Sequence, residues 1–144
     1  MAGFLFNIGA EQLALGTTVW GTSTIRARLV LTSAGAPDKD ADVMTGIGSA
    51  VATATTAITD DQPPTKSDAN DRISYSTTGN VTFSAAALGI GACDRMVFYR
   101  FVTNDADSIP IACVEIAEVT PNGGDVTVTQ PTTNAVLGWF YTQQ

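Results

Sequence analysis

Fourteen acidic residues and not one histidine bound the chemistry open to this 144-residue chain. Without an imidazole, the commonest general base and the commonest metal ligand are both missing. Neither a Ser-His-Asp nor a Cys-His arrangement can be assembled. Catalysis by carboxylates alone, as in glycoside hydrolysis, stays open in principle. Most of the acids, however, stand in turn-like contexts: Asp38, Asp40, Asp42, Asp60, Asp61, Asp68, Asp71, Asp105 and Asp107. There aspartate caps turns through nearby backbone groups. Glu115 and Glu118 fall on opposite faces of one predicted strand, a poor geometry for a shared site. The expectation is a protein with no catalytic residue.

Ligand motifs fare no better. Asp38, Asp40 and Asp42 alternate like the opening of a calcium loop, yet Val43 stands where a glycine is needed and no bidentate glutamate follows. A solvated loop is expected there, with an adventitious divalent ion as the alternative. Gly46-Ile47-Gly48 and Gly89-Ile90-Gly91 lack the further glycines and the basic residue of a phosphate loop. Asn80-Val81-Thr82 fits a glycosylation pattern that matters only in a secreted chain. Cys93 and Cys113 are too few for a disulfide framework and lack metal spacing. Cys113 reads as a small buried hydrophobe, with a Cys93–Cys113 bridge as the alternative. No cofactor, metal or small-molecule substrate is expected.

The elements that would carry any surface are strands. Arg95–Thr103 and Ile109–Val119 flank the turn Asn104-Asp105-Ala106-Asp107, and Asp125–Thr129 follows Asn122-Gly123-Gly124, so an antiparallel meander is predicted. Met96, Phe98 and Val102 share one face of its first strand; Val97, Tyr99 and Phe101 share the other. Apolar side chains on both faces mark a central strand covered on both sides, or one covered by a partner. Thr24–Thr32 alternates cleanly, with Ile25, Ala27, Leu29 and Leu31 opposite Arg26, Arg28 and Val30. Ala50–Ile58 is left as helix or strand, because alanine favours one and threonine the other. Asp60-Asp61-Gln62-Pro63-Pro64 ends that element, and residues 34–71 are expected to form a long surface loop. Ile73, Tyr75 and Thr77 alternate, Val81-Thr82-Phe83 follows, Ala85–Gly89 suggests a helical turn, and Leu137–Tyr141 is a last aromatic strand. The fold class is therefore all-β: an antiparallel β-sandwich or jelly-roll-like domain over residues 17–144. The apolar residues 1–16 either pack on the domain or form an N-terminal arm that docks onto a neighbour; the arm is the reading adopted, and as such it is expected to be dispensable for folding.

Composition points the same way and limits the partners. Charged residues make up 15% of the chain, against roughly 25% in an average soluble domain. A thinly charged, Thr- and Ala-rich surface fits either burial by other subunits or a plain neutral exterior. A net charge of −7 and seven scattered basic residues argue against nucleic-acid binding. Arg26 and Arg28 share a strand face, suited either to an acidic partner or to intramolecular pairing. No basic leader and no run of 18 apolar residues is present, so neither secretion nor a membrane helix is expected. Synthesis in a reducing cytoplasm follows.

Several segments, taken in order, resemble a family of small virion structural proteins of tailed bacteriophages, the head decoration (cement) proteins. They are Phe6-Asn7-Ile8-Gly9-Ala10-Glu11, Ile25–Leu31, Val81-Thr82-Phe83, the pair Val97–Val102 and Ile109–Ile116, and Asn122-Gly123-Gly124-Asp125 leading into Val126-Thr127-Val128. Asp38–Ala69 matches least. The resemblance implies a domain on the outer capsid surface that bridges major capsid proteins as a homo-dimer or homo-trimer. The interface residues expected on that basis are Phe4, Phe6, Arg26, Arg28, Pro63, Pro64, Trp139 and Tyr141, with ordinary core as the alternative for the aromatics and the favoured one for Trp139. A tail, neck or fibre component of a virion is the nearest alternative. A carbohydrate-binding β-sandwich using Trp20, Trp139 or Tyr141 is a more distant one.

Overall fold

Strand β7 (Cys93–Arg100) organises the chain, because both of its faces are apolar and both are covered. The computed structural model describes residues 3–59, 62–68, 71–86, 89–131 and 138–143. The Asp60-Asp61 pair, Ala87-Leu88 and Leu137 lie outside the described residues. The architecture is all-β and antiparallel. Around β7 run β2 (Ile25–Leu31) and β8 (Ile109–Val119), flanked by β1 (Gly3–Leu5) and β3 (Val51–Ile58), in the order β1-β8-β7-β2-β3. Two smaller sheets pair β10 (Phe140–Gln143), β5 (Arg72–Tyr75) and β4 (Thr65–Ser67), and separately β6 (Val81–Phe83) with β9 (Val126–Val128).

The alternation read in Thr24–Thr32 holds. Ile25, Ala27 and Leu29 enter the main core with Met96 and Phe98 of β7. Val30 faces the other way, into a second core with Val97, Tyr99 and Cys113. Trp20 joins the layers on the first side. Its ring stands edge-on to Phe140 at 5.1 Å, Phe98 at 5.4 Å and Tyr75 at 6.1 Å, while Tyr75 stacks on Phe140 at 4.7 Å. Each such pair adds about 1 kcal/mol to the burial of its area.

The second core corrects two expectations. Residues 3–16 are not an arm. Phe4 of β1 pairs with Cys113 of β8, and Phe6 is 0% exposed among Val97, Tyr99 and Met44. Helix α1 (Asn7–Leu15) then lies on β8. A bulge in β8 makes this docking possible. Phe98 is opposite Ala112 while Tyr99 is opposite Pro110, so Ile111 is the extra residue. Its carbonyl accepts the Phe6 N–H at 3.0 Å, and its backbone lies so close to Gly9 that a Cβ there would sit 2.6 Å from the Ile111 Cα. The bulge also accommodates Pro110, which has no N–H to offer a ladder. Gly16, left-handed at φ 70, ends the helix, and the Thr17 and Thr18 N–H groups close onto the Gln12 carbonyl.

Nor are residues 34–71 simply a surface loop. Ala41, Met44 and Ile47 cover the second face of the sheet, held by Met44 N–H to the Ser108 carbonyl (2.9 Å) and Asn7 N–H to the Lys39 carbonyl (3.1 Å). A 3₁₀ segment, Met44–Ala50, leads into β3, so the ambiguous Ala50–Ile58 run is a strand, and β4 follows Pro64. An apolar strand pair at the centre of the sheet needs this cover, which local propensity cannot signal.

The predicted meander stops after two strands. β7 and β8 form the expected hairpin, but β9 pairs with β6 instead of continuing the sheet. The Asn122–Asp125 turn is captured elsewhere: Gly123 N–H donates to the Ala86 carbonyl (2.9 Å) and Ala86 N–H to the Gly124 carbonyl (3.0 Å). Ala85, at φ 47 with its N–H on Asp125 Oδ1 (2.9 Å), forms a left-handed turn at the start of the expected helical turn. Two outcomes test this packing. Gly9→Ala should lower stability in urea even though alanine is the better helix former by about 1 kcal/mol. Phe6→Ala should cost about 3–5 kcal/mol, and removal of residues 1–16 should unfold the domain rather than leave it intact.

Candidate protein interface

The eight residues expected at an interface divide into buried, committed and exposed groups. Phe6 and Trp139 are core. Trp139 is 4% exposed and its Nε1–H donates to Thr77 Oγ1 at 2.9 Å. Phe4 is half-buried, its ring edge-on to Phe6 at 5.1 Å. Neither Phe6 nor Trp139 can anchor a partner without unfolding, and the same holds for a sugar on Trp20, which is 2% exposed with its Nε1–H on the Ser76 carbonyl (2.8 Å). Sequence alone left core and interface both open for these aromatics, with core favoured for Trp139, because an aromatic residue in a β-run looks the same facing a core or a partner.

The arginine pair shares one face of β2, as expected, but both members are engaged within the chain. The Arg28 guanidinium donates to both Asp105 oxygens, at 2.7 and 2.9 Å, and to Tyr99 Oη at 3.3 Å. Arg26 lies 3.4 Å above the Phe101 ring centroid. The Arg28 pair ties the 103–108 turn to the sheet and holds the Asp105 carboxyl below the usual carboxylate range, chiefly through those hydrogen bonds. Asp105 is thus an ion-pair partner rather than a turn cap, a role assigned correctly to Asp107, which accepts the Asn104 N–H at 2.9 Å. Four of the five other cations are similarly occupied: Arg95 with Asp94, Lys66 with Asp68, Arg100 with the Thr17 carbonyl and Arg72 against the Tyr141 ring.

Pro63, Pro64 and Tyr141 remain exposed, Tyr141 by 42%. The strongest apolar exposure was not singled out from sequence. Leu15 is 67% exposed, Val102 46% and Val19 43%. The backbone brings the segments carrying these three to one end of the sheet. Arg100 Nη1 donates to the Thr17 carbonyl at 2.6 Å and Phe101 N–H to the Thr24 carbonyl at 2.9 Å, joining residues 15–24 to residues 100–102. Leu15 at the last turn before Gly16 was the one available clue. A helix-terminal leucine beside a glycine cap has little of its own helix to pack on.

The remaining candidates for chemistry have structural roles. Asp38 accepts the Asp40 N–H at 3.0 Å and Asp40 accepts from Asn7 Nδ2, so the acidic cluster pins the covering loop to the start of α1. Among the described residues no group of three or more His, Cys, Asp or Glu is placed to hold a metal ion. Cys93 and Cys113 are unbridged and belong to different cores on opposite sides of the sheet. Burial pushes the Cys113 thiol up to about 12. No helix among the described residues is long and apolar enough to cross a membrane.

Fold and surface together define an antiparallel β-domain with three exposed apolar residues on segments that meet at one sheet end. No protein-family model, curated protein or solved structure matches the chain.

Two measurements check the electrostatics and the thiols. Asp105→Asn should destabilise the protein by about 1 kcal/mol at pH 7, the partly exposed pair being screened by solvent. Because the folded-state pKa of Asp105 is lowered, its contribution is full above the unfolded carboxylate value and is lost as pH falls through the folded one. The two urea midpoints should therefore converge in strong acid. At pH 8 neither thiol should react with iodoacetamide in the native state, and both should react in denaturant.

Proposed function

We propose that this chain is a capsid decoration protein of a tailed bacteriophage, bound to the outer surface of the assembled head and bridging major capsid proteins. The observation that carries the reading is the exposure of Leu15, Val19 and Val102, three large apolar side chains on segments joined at one end of the sheet, in a chain with 15% charged residues. Exposed apolar side chains on neighbouring segments suit a contact surface. Low overall charge fits a surface that other subunits cover. The resemblance in segment order adds to this. The rigid two-core sheet presents the patch, while Tyr141 and the exposed Pro63-Pro64 turn offer further contacts.

The expected mechanism is additive. A protein that touches several capsomers at once converts modest contacts into strong retention through effective concentration. Binding only the assembled lattice then stabilises that lattice by mass action. In this role the domain performs no chemistry and needs no cofactor.

Purified virions separated into heads and tails should carry the chain in the head fraction. The isolated protein should sediment with heads from which it has been stripped. Leu15→Asp combined with Val102→Asp should weaken that co-sedimentation at least about tenfold, roughly the loss of 1.4 kcal/mol, with an unchanged urea midpoint. Recovery of the chain with tails, or wild-type protein that ignores stripped heads, would overturn the reading.

A further inference from the structure

Among the described residues no strand pairs with the outer side of the edge strand β3, and its outward hydrogen-bonding groups can be assigned. Phe101 N–H donates to the Thr24 carbonyl at 2.9 Å, and Ile25 stands opposite Arg100 in the same register. Residues 24 and 101 are therefore a directly bonded antiparallel pair, and bonding alternates along β2 from there. Arg26 and Arg28 turn their backbone groups toward β7, Ile25 and Ala27 toward β3. Ile25 is opposite Ile58, Ala27 opposite Thr56, Arg26 opposite Ala57 and Arg28 opposite Thr55. Hence Ile58 and Thr56 bond to β2, whereas Thr55 and Ala57 point their N–H and C=O groups outward; continuing the alternation one residue beyond the strand would give Thr59 the same sense. The Ala57 carbonyl has a contact from Thr56 Oγ1 at 3.5 Å, too long to replace a ladder bond.

Edges of this kind are normally guarded by lysine, proline or an inward charge. From Val51 to Ile58 this one has none of these, and its guard is an irregularity between the Arg28–Thr55 and Val30–Val51 pairs. The regular, unguarded part is Thr55–Thr59. Its side chains at 55, 57 and 59 are exposed and small.

We propose that Thr55–Thr59 pairs with the same segment of a second copy, antiparallel about a two-fold axis at Ala57, to make one continuous ten-stranded sheet. In this register Ala57 faces Ala57 and Thr55 faces Thr59 of the second copy. Six backbone hydrogen bonds form without entering the irregular half of β3. Threonine pairs across such a ladder are favourable. A second copy suits this edge better than a captured peptide, because peptide capture takes its specificity from pockets for alternate side chains. Thr55 and Ala57 form none. The acidic chain meets itself here without charge, since no residue from Thr55 to Thr59 is ionised. A five-residue ladder falls well below the roughly 1,000 Å² of a stable interface, so the contact is weak in solution and strengthens where copies are held side by side.

Disulfide trapping reads such a contact directly, because both native thiols are buried. Ala57→Cys should oxidise to a dimer at least about tenfold faster than Thr120→Cys, an exposed control, since the axis holds the thiols at high effective concentration. An equimolar mixture of Thr55→Cys and Thr59→Cys proteins should give the mixed dimer, and each variant alone should not. Oxidation of Ala57→Cys no faster than the control overturns the proposal. So does trapping through Thr55→Cys alone, which would place the axis elsewhere. Neither result bears on capsid binding, which the head co-sedimentation tests separately.

Discussion

Everything in this fold follows from burying both faces of β7. A strand with apolar groups on one face needs a single cover, whereas one flanked by Met96 and Phe98 on one side and Val97 and Tyr99 on the other needs two. The aromatic cluster around Trp20 supplies the first, by bringing β5 and β10 against the sheet. The second is assembled from distant pieces, Phe6 at the start of the chain and Ala41, Met44 and Ile47 from the middle. Those pieces are held in place by backbone hydrogen bonds, from Phe6 to β8 and from Met44 and Thr45 to the 103–108 turn, so the cover and the sheet are one cooperative unit.

That demand also explains where the charges go. With few cations available, the chain uses them for internal connections: Arg28 closes the turn that receives the covering loop, and Arg100 fastens the segment after α1. The surface is left poor in cations, net acidic and rich in threonine. Two features of it are unusual for a monomer, the exposed apolar residues Leu15, Val19 and Val102 and an edge strand with no paired neighbour among the described residues. They involve different residues and different physics, since side-chain burial drives the first and backbone pairing the second. A protein that coats a lattice would use both, one toward the lattice and one toward its neighbours.

Much of the strand content was legible. The alternation of Ile25, Ala27 and Leu29 against Arg26 and Arg28 identified β2, and two-sided apolarity identified β7 as central. The hairpin turn at Asn104–Asp107 was readable from its acids and amide. The site was far less so. Of the residues expected at an interface, Phe6 and Trp139 are core and Arg28 is paired, while the exposed Leu15, Val19 and Val102 were not among them. Residue type and spacing report that a side chain is apolar. They cannot report whether the space opposite it is filled.

By itself, then, the sequence determined the class of structure: period-two patterning and β-branched residues dictate strands, and the lack of histidine removes whole families of chemistry. Tertiary structure decided the partners of those strands. Capture of the Asn122–Asp125 turn by Ala86 sent β9 to β6, and a one-residue bulge at Ile111 turned an apparent arm into part of the sheet. Both are long-range hydrogen-bond choices among segments of similar local propensity, so only the packed chain distinguishes between them.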